Sequence, residues 1–290
     1  MQNLARVNTH DIGFQDEANR YKQLRTFSDD SHKITWCLMK GNPRPTFNPT
    51  LLHDLSNYVI DVKKEMSDSN GTKYDYLVLG SDVEGVYNLG GDLDLFYKLI
   101  ETKDREGLFQ YAISCIDVLY QNIVHLECDL TTISLIQGDA LGGGLETALA
   151  SNITIAERGT KLGFPEVLFN LFPGMGAYSM LSRKVGSEKA EEIILSGKIY
   201  SAEELYDLGI IEVLTDEGQA ELALFDYIKK SKKSPNSHQA LRKVRDLINP
   251  ITYKELYDIA VIWTDAAFKL RKKDIRMMKR LVAQQDATSL

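Results

Sequence analysis

The sequence of 290 residues predicts a mixed α/β fold that is followed by a helical C-terminal region. Four short apolar segments are typical of buried strands: residues 34–39, 76–79, 132–136 and 153–156. Amphipathic helical patterns separate them, notably at residues 51–66 and 107–126. Strands that alternate with helices favour an α/β layer architecture.

The C-terminal part of the chain is helical in pattern. Five helices are expected there, at residues 177–185, 189–195, 202–208, 219–230 and, as one long helix, 252–280. We therefore divide the chain into a polar N-terminal arm (1–33) with at most one strand, an α/β core (34–215) and a helical region (216–290).

The composition is that of an ordinary globular protein, and the net charge of −7 argues against nucleic-acid binding that relies on overall basicity. We expect no membrane insertion and a cytoplasmic location, because neither an apolar signal core nor a long apolar stretch is present. The three cysteines, Cys37, Cys115 and Cys128, are expected to be free thiols. The five histidines lack zinc-site spacing, so no metal site is expected.

Two glycine-rich loops each follow a predicted strand. In residues 88–93, Gly90 and Gly91 allow a backbone N–H to approach a ligand, and Asp92 is placed to cap the next helix. Residues 138–146 bring three successive glycines before Glu146, without the spacing of a dinucleotide-binding or Walker A loop. Each loop is also compatible with a simple strand-to-helix turn, and Glu146 with an exposed helical acid.

Glu166 stands in apolar company, between Phe164, Pro165, Val167 and Leu168. Such surroundings raise the pKa of a carboxyl group and suit acid–base chemistry near neutral pH. An isolated Pro-Glu pair in an exposed loop is the simpler interpretation of this motif alone. The order of loop, loop with acid, and second acid is more specific than any one of the motifs.

This order resembles the crotonase (enoyl-CoA hydratase/isomerase) superfamily over residues 34–215. The resemblance implies a crotonase, or ClpP-like, ββα spiral core with the active site in residues 34–215. It implies that the helical region, residues 216–290, mediates oligomerisation and covers the acyl pocket. It also implies that Gly91 and Gly143 supply the two N–H donors of an oxyanion hole and that Glu146 and Glu166 are the catalytic acids. Four residues near these positions are expected to contact substrate: Gly90, Leu141, Gly142 and Met175.

Residues 87–96 and 162–179 further resemble the bacterial diffusible-signal-factor synthases. This resemblance implies dehydration of a medium-chain 3-hydroxyacyl thioester, carried by acyl carrier protein or CoA, and its hydrolysis to a free cis-2-unsaturated fatty acid signal. It implies no metal or redox cofactor, a homotrimer or dimer of trimers, and room for a regulatory partner. The alternatives are an enoyl-CoA hydratase or isomerase that acts on CoA thioesters, and a catalytically silent interaction module.

The C-terminal region offers two further candidates. Trp263 and Leu281 are expected either to line an acyl-chain tunnel or to pack between helices or subunits. A dense basic cluster is either a docking surface for an acidic carrier or a solvated helix face: Lys269, Arg271, Lys272, Lys273, Arg276, Lys279 and Arg280.

Overall fold

The computed structural model describes the backbone of residues 15–16 and 20–288, and the side chains of residues 20–283. Much of the predicted N-terminal arm therefore lies outside the described residues. Seven strands form the larger sheet, and their order across it is β1 (Gln15–Asp16), β2 (Leu24–Asp29), β3 (Ile34–Met39), β4 (Tyr76–Ser81), β6 (Thr131–Ile136), β8 (Ile153–Glu157) and β11 (Val213–Thr215). The first three strands pair antiparallel, and the sheet from β3 onward is parallel. Both β1 and β2 lie within residues 1–33, so the prediction of at most one strand in that region is wrong.

A smaller sheet of four strands has the order β10 (Ile199–Ser201), β9 (Lys161–Gly163), β7 (Gly138–Leu141) and β5 (Gly85–Asn88). The chain alternates between the sheets: β4, β6 and β8 of the larger sheet are each followed by β5, β7 and β9 of the smaller one. After each such pair the chain enters helical structure. This repeated strand–strand–helix unit is the predicted ββα spiral, and it delivers the ends of β5, β7 and β9 to one place.

The helices of the core begin and end close to the predicted positions. They are α1 (Pro49–Asp68), α2 (Leu93–Glu101), α3 (Arg105–Ile123), α4 (Gly143–Leu149), α5 (Ala177–Val185), α6 (Ser187–Ser196) and α7 (Ala202–Asp207). A short 3-10 helix, Pro165–Phe169, follows β9. The side chain of Asp92 accepts a hydrogen bond from the N–H of Leu95, so Asp92 caps α2 as expected.

Both faces of the larger sheet are covered, which explains why its strands are apolar throughout. On β3, Trp36 and Leu38 pack towards α8 (Ala220–Ser231), while Cys37 and Met39 face the larger core on the opposite side. The two cores alternate along the strand because successive side chains point to opposite faces. The helix α8 therefore lies behind the sheet, away from the smaller sheet and the glycine loops.

Two predictions in the C-terminal region are wrong. The helix expected over residues 252–280 is two helices, α10 (Tyr253–Ala267) and α11 (Lys272–Thr288). The chain breaks because the carboxylate of Asp274 accepts a hydrogen bond from the N–H of Arg271 (2.9 Å) and starts α11 anew. A further helix, α9 (Pro235–Ile248), had not been predicted, and it buries none of its side chains.

The last two helices pack on the core: α10 lies against α3, and α11 against α2 and the 3-10 helix. Within the described part of the chain, no helix has both the length and the apolar character that crossing a bilayer requires. All three cysteines are free thiols, as expected.

Candidate active site

The first glycine loop leaves one backbone N–H without an acceptor. The N–H of Leu89 donates to Pro45 O (2.8 Å), and the N–H of Gly90 donates to the side-chain oxygen of Asn88 (2.7 Å). Among the described residues, the N–H of Gly91 has no acceptor. Glycine is needed at position 91, because an added Cβ would lie 2.5 Å from Cζ of Phe96.

The second glycine loop is arranged in the same way. Gly142 has a φ of +52°, which favours glycine, and its N–H donates to Gly163 O (2.8 Å). The N–H of Gly143, at the first residue of α4, has no acceptor in the part of the chain that the structure describes. An unpaired N–H in a cavity wall is available to a ligand oxygen.

The two unpaired N–H groups belong to one site, because the loops touch. A Cβ built on Gly90 would lie 2.9 Å from the nitrogen of Gly143, and a Cβ built on Gly143 would lie 3.6 Å from the nitrogen of Gly91. Gly91 and Gly143 both line the same cavity. The structure thus brings together the two positions that were expected to form an oxyanion hole.

Glu146 is held by the backbone of a third loop. It is 1% exposed, and its Oε1 accepts hydrogen bonds from the N–H groups of Met175 (2.8 Å) and Ala177 (2.9 Å). Burial raises the pKa of Glu146 to about 7, and the two hydrogen bonds oppose this rise. Because Oε1 is fixed in this way, Oε2 is the oxygen with freedom to exchange a proton at the cavity.

The side chain of Glu166 is partly exposed, and its carboxyl group has fewer hydrogen bonds than that of Glu146. It lies on the 3-10 helix, and among the described residues its buried Oε2 has no hydrogen-bond partner. Burial, and then the negative charge of Glu146, raise the pKa of Glu166 to about 8. A Cβ on Gly142 would lie 2.4 Å from Oε1 of Glu166, so this carboxyl group lies directly against the second glycine loop.

The carboxyl groups and the N–H groups share one largely apolar cavity of about 360 Å³. Five expected residues line it with them: Leu141, Gly142, Met175, Trp263 and Leu281. Gly90 is not among the lining residues; it lies behind the wall, against Leu141 O and the nitrogen of Gly143. Much of the remaining wall is apolar: Leu89, Leu93, Phe96, Tyr111, Ala112, Cys115, Phe169 and Leu171.

Sequence reasoning missed the part that Tyr111 plays. The Tyr111 hydroxyl donates a hydrogen bond to Phe47 O (2.6 Å) and accepts one from the N–H of Asp92 (3.2 Å). The N–H of Phe47 in turn donates to Gly90 O (2.8 Å). The hydroxyl therefore ties the loop on both sides of Gly91 to a neighbouring segment. A tyrosine on an amphipathic helix carries no local signal for such a contact.

Trp263 has two contacts that fix its ring. It packs edge-on against Phe96, with ring centroids 5.1 Å apart, and a Cβ on Gly174 would lie 2.4 Å from its Cδ1. Gly174 directly precedes Met175, whose N–H supports Glu146. Trp263 thus lines the cavity and also packs against neighbouring elements, and its contact with an acyl chain stays a prediction.

The fold is that of crotonases. Over 90% of this chain and 99% of the other, it is similar to an enoyl-CoA hydratase from Bacillus halodurans (TM-score 0.73, 20% identity). It is similar also to Pseudomonas aeruginosa DspI, over 93% of this chain and 98% of the other (TM-score 0.65, 22% identity). These likenesses concern the fold.

The family follows from the sequence. A family model described as "Enoyl-CoA hydratase/isomerase" matches residues 37–252, and the chain belongs to this family. Among curated relatives, it is 29% identical over 205 residues to the fatty acid oxidation complex subunit alpha of Pseudomonas aeruginosa. That match covers 71% of this chain and 27% of the relative, so the chain spans about a quarter of the relative's length.

Proposed function

We propose that this protein dehydrates a medium-chain 3-hydroxyacyl thioester on acyl carrier protein and then hydrolyses the enoyl thioester to a free cis-2-unsaturated fatty acid. One observation carries the proposal: the carboxyl groups of Glu146 and Glu166 and two unpaired backbone N–H groups line the same apolar cavity. A thioester carbonyl, an adjacent acidic C–H and a β-hydroxyl are the groups for which such a site is suited.

In the first step, the thioester oxygen lies between the N–H groups of Gly91 and Gly143. Negative charge develops on this oxygen as the α-proton leaves, so the donors stabilise the transition state more than the ground state. The carboxylate of Glu166 takes the α-proton, and the electrons of that C–H bond form the double bond. The β C–O bond breaks, and the oxygen leaves as water with a proton from Glu146.

The environments of the two glutamates support a shared proton. The pKa values of Glu146 and Glu166, about 7 and about 8, are high enough for the pair to hold one proton near neutral pH. In dehydration, Glu146 gives its proton to the departing hydroxyl, which leaves as water, and Glu166 gains the α-proton of the substrate. The buried Oε2 of Glu166 has no hydrogen-bond partner among the described residues, which favours the neutral form of this carboxyl group, while the two N–H groups on Glu146 stabilise the anion that remains.

Hydrolysis uses the same N–H groups. The oxygen of a water molecule, activated by a glutamate, bonds to the thioester carbon, the C–S bond breaks, and the thiol leaves with a proton. The resemblance to diffusible-signal-factor synthases, over residues 87–96 and 162–179, supports this second step. The product would act as a fatty-acid signal in quorum sensing, and a cytoplasmic location and a regulatory partner remain predictions.

Enoyl-CoA hydration is the second candidate, and the hydrogen bonds of the two carboxyl groups favour it: two backbone N–H groups stabilise an ionised Glu146, while the buried Oε2 of Glu166 has no partner among the described residues. With the proton on Glu166 and Glu146 ionised, the resting pair is prepared to activate water and to protonate the α-carbon. The same residues therefore serve both directions of one reaction. The fate of the thioester distinguishes the candidates, because a hydratase leaves the C–S bond intact.

The test is mass spectrometry of lipids from cells that express the wild type, Glu146→Ala or Glu166→Ala. A free cis-2-unsaturated acid with the wild type alone would support the proposal. Hydration of enoyl-CoA without any free acid would favour the second candidate. No turnover of either thioester by a folded wild type would leave the silent interaction module as the better account.

We also propose that the protein forms a homotrimer or a dimer of trimers, with α9 in the interface. One side of α9 bonds to its own subunit, through Arg242 to Asp129 (2.8 Å) and Asp246 to His125 (2.9 Å). The other side exposes Leu241, Val244, Leu247 and Ile248 to solvent. Light scattering of Leu241→Glu/Leu247→Glu should give a smaller particle than the wild type; an unchanged mass would exclude α9 from the interface.

A further inference from the structure

The first turns of α11 and the segment before it concentrate positive charge. Residues 269–280 contain seven cations and one acid, on a chain whose net charge is −7. All seven cationic side chains are exposed. Arg271 pairs with Asp274, and the ammonium of Lys279 lies 3.7 Å from the centroid of the Tyr97 ring.

The other five cations have no ion pair within the described residues. These are Lys269, Lys272, Lys273, Arg276 and Arg280, and we name them the basic surface. Unpaired cations that lie close together make a local positive potential, which attracts an acidic partner and speeds its association. A helix that served only to cover the core would be expected to pair more of its charges with neighbouring acids.

The basic surface lies largely on α11, the helix that contributes Leu281 to the wall of the active-site cavity. The opposite side of α11 buries Met278 and contributes Leu281 to the cavity wall. The helix packs against α2 and against the 3-10 helix that carries Glu166. At the exposed end of that 3-10 helix, Leu168 is 50% exposed and lines the cavity as well. A macromolecule bound to the basic surface would therefore contact the helix that supplies Leu281 to the cavity wall.

We infer that the basic surface docks an acidic carrier protein that delivers the acyl group to the cavity on a phosphopantetheine arm. This inference rests on the proposed function, because a carrier is needed only if the substrate is bound to one. Charge complementarity selects a protein with an acidic face, and the position beside the cavity sets the distance that the flexible arm must bridge. The phosphates of CoA are the competing ligand, and the experiment separates the two.

The test compares two charge-reversed triple variants with the wild type. Lys272→Glu/Lys273→Glu/Arg276→Glu reverses the basic surface near the start of α11, where glutamate is compatible with a helix. The matched control, Lys230→Glu/Lys232→Glu/Lys233→Glu, makes the same charge change at exposed lysines by the end of α8, behind the larger sheet. Thermal melting of both variants establishes that they are folded.

The first readout is binding of a bacterial holo-acyl carrier protein, measured by fluorescence anisotropy at low and high salt. We expect the α11 variant to bind about tenfold or more weakly than the wild type at low salt, with the difference shrinking as salt screens the charges. The α8 variant should bind within about twofold of the wild type. Equal binding by the wild type and the α11 variant would overturn the inference, and so would equal weakening in the α8 variant.

The second readout is turnover of the same 3-hydroxyacyl group on acyl carrier protein, CoA and N-acetylcysteamine. We expect kcat/KM of the α11 variant to fall about tenfold for the carrier alone. An equal fall in kcat/KM for the CoA thioester would mean that the basic surface binds the phosphates of CoA. An equal fall for the N-acetylcysteamine thioester would mean that the substitutions disturb the active site itself. Either result overturns carrier docking. Failure of the wild type on all three thioesters would refute the proposed function, while the binding readout still decides the docking.

Discussion

Removal of the hydroxyl group of Tyr111 should weaken catalysis while the aromatic ring stays in the cavity wall. Tyr111→Phe leaves Phe47 O without its donor and the N–H of Asp92 without its acceptor, on either side of the segment that holds Gly91. Each buried polar group that loses its partner costs about 1–3 kcal/mol. The ring remains, so its edge-on contact with Phe96 is retained.

The loss of one hydroxyl group should still lower kcat substantially, because an oxyanion donor stabilises the transition state only when it is correctly positioned. Loss of a whole donor costs about 3–4 kcal/mol in the transition state, or roughly 10² to 10³ in kcat. Tyr111→Phe displaces the N–H of Gly91 rather than removing it. We therefore expect kcat to fall about tenfold to hundredfold, and KM to change little, since the donor acts on charge that develops during the reaction.

The assay is dehydration of a 3-hydroxyacyl N-acetylcysteamine thioester, with thermal melting of each variant. Tyr87→Phe is the matched control: Tyr87 is fully buried, and its hydroxyl makes one hydrogen bond, to Ser134 Oγ (3.1 Å). This control should lose stability but keep kcat within about twofold. Equal kcat values for the two variants would refute the positioning role of Tyr111.

Three further predictions follow from the same site. Gly142→Ala should lower kcat about hundredfold or more, because the added Cβ would lie 2.4 Å from Oε1 of Glu166. The control is Gly159→Ala, which is also at positive φ but has nothing within 4 Å of its added Cβ. This control should lose only stability, about 1–2 kcal/mol as measured by thermal melting. Burial raises the pKa values of Glu146 and Glu166 above 4.5, to about 7 and about 8. Their contribution to the stability of the folded state is therefore complete below pH 4.5, where both carboxyl groups are neutral, and is lost as the pH rises through the two raised pKa values. Glu166→Gln should therefore gain stability over the wild type at pH 9 and lose that advantage at pH 4; a constant difference would contradict this. The pH profile of kcat/KM should be highest where the pair holds one proton, between about 7 and about 8, and fall on both sides; a profile that keeps rising above pH 9 would argue against a shared proton.

The parts of the fold that the sequence predicts are those with a local cause. Strands β3 and β4 are apolar over several residues, and the helix after Asp92 has its capping side chain within the same turn. The strands of the smaller sheet are only three or four residues long, so no alternating pattern develops in them.

The helices that were placed wrongly also have a physical explanation. The break between α10 and α11 depends on one side chain, that of Asp274, in a sequence that is otherwise helical in pattern. The apolar residues of α9, among them Leu241 and Leu247, follow helical spacing but stay exposed, so no burial within the chain supports that helix.

The candidate site likewise has features that the local sequence indicates and contacts that only the folded structure reveals. The glycine loops and Glu146 stand out because glycines at tight turns and an acid in an apolar segment are local features, whereas the roles of Gly91, Gly143 and Glu146 are implied by the resemblance to crotonases. The unpaired Oε2 of Glu166 and the hydrogen bonds of Tyr111 are not local: Tyr111 reaches Phe47, 64 residues away. Contacts of that kind are set by the packing of the whole core.

The central claim is that Glu146 gives a proton to the departing hydroxyl and Glu166 takes the α-proton, while two backbone N–H groups hold the thioester oxygen. Its most direct test is the dehydration rate of the N-acetylcysteamine thioester with folded Glu146→Gln, Glu166→Gln and the double variant. Each single substitution should lower kcat by about 10² to 10⁴, and the double variant should be little worse, because the two groups act as a unit. A single variant that keeps kcat within tenfold of the wild type would contradict the claim.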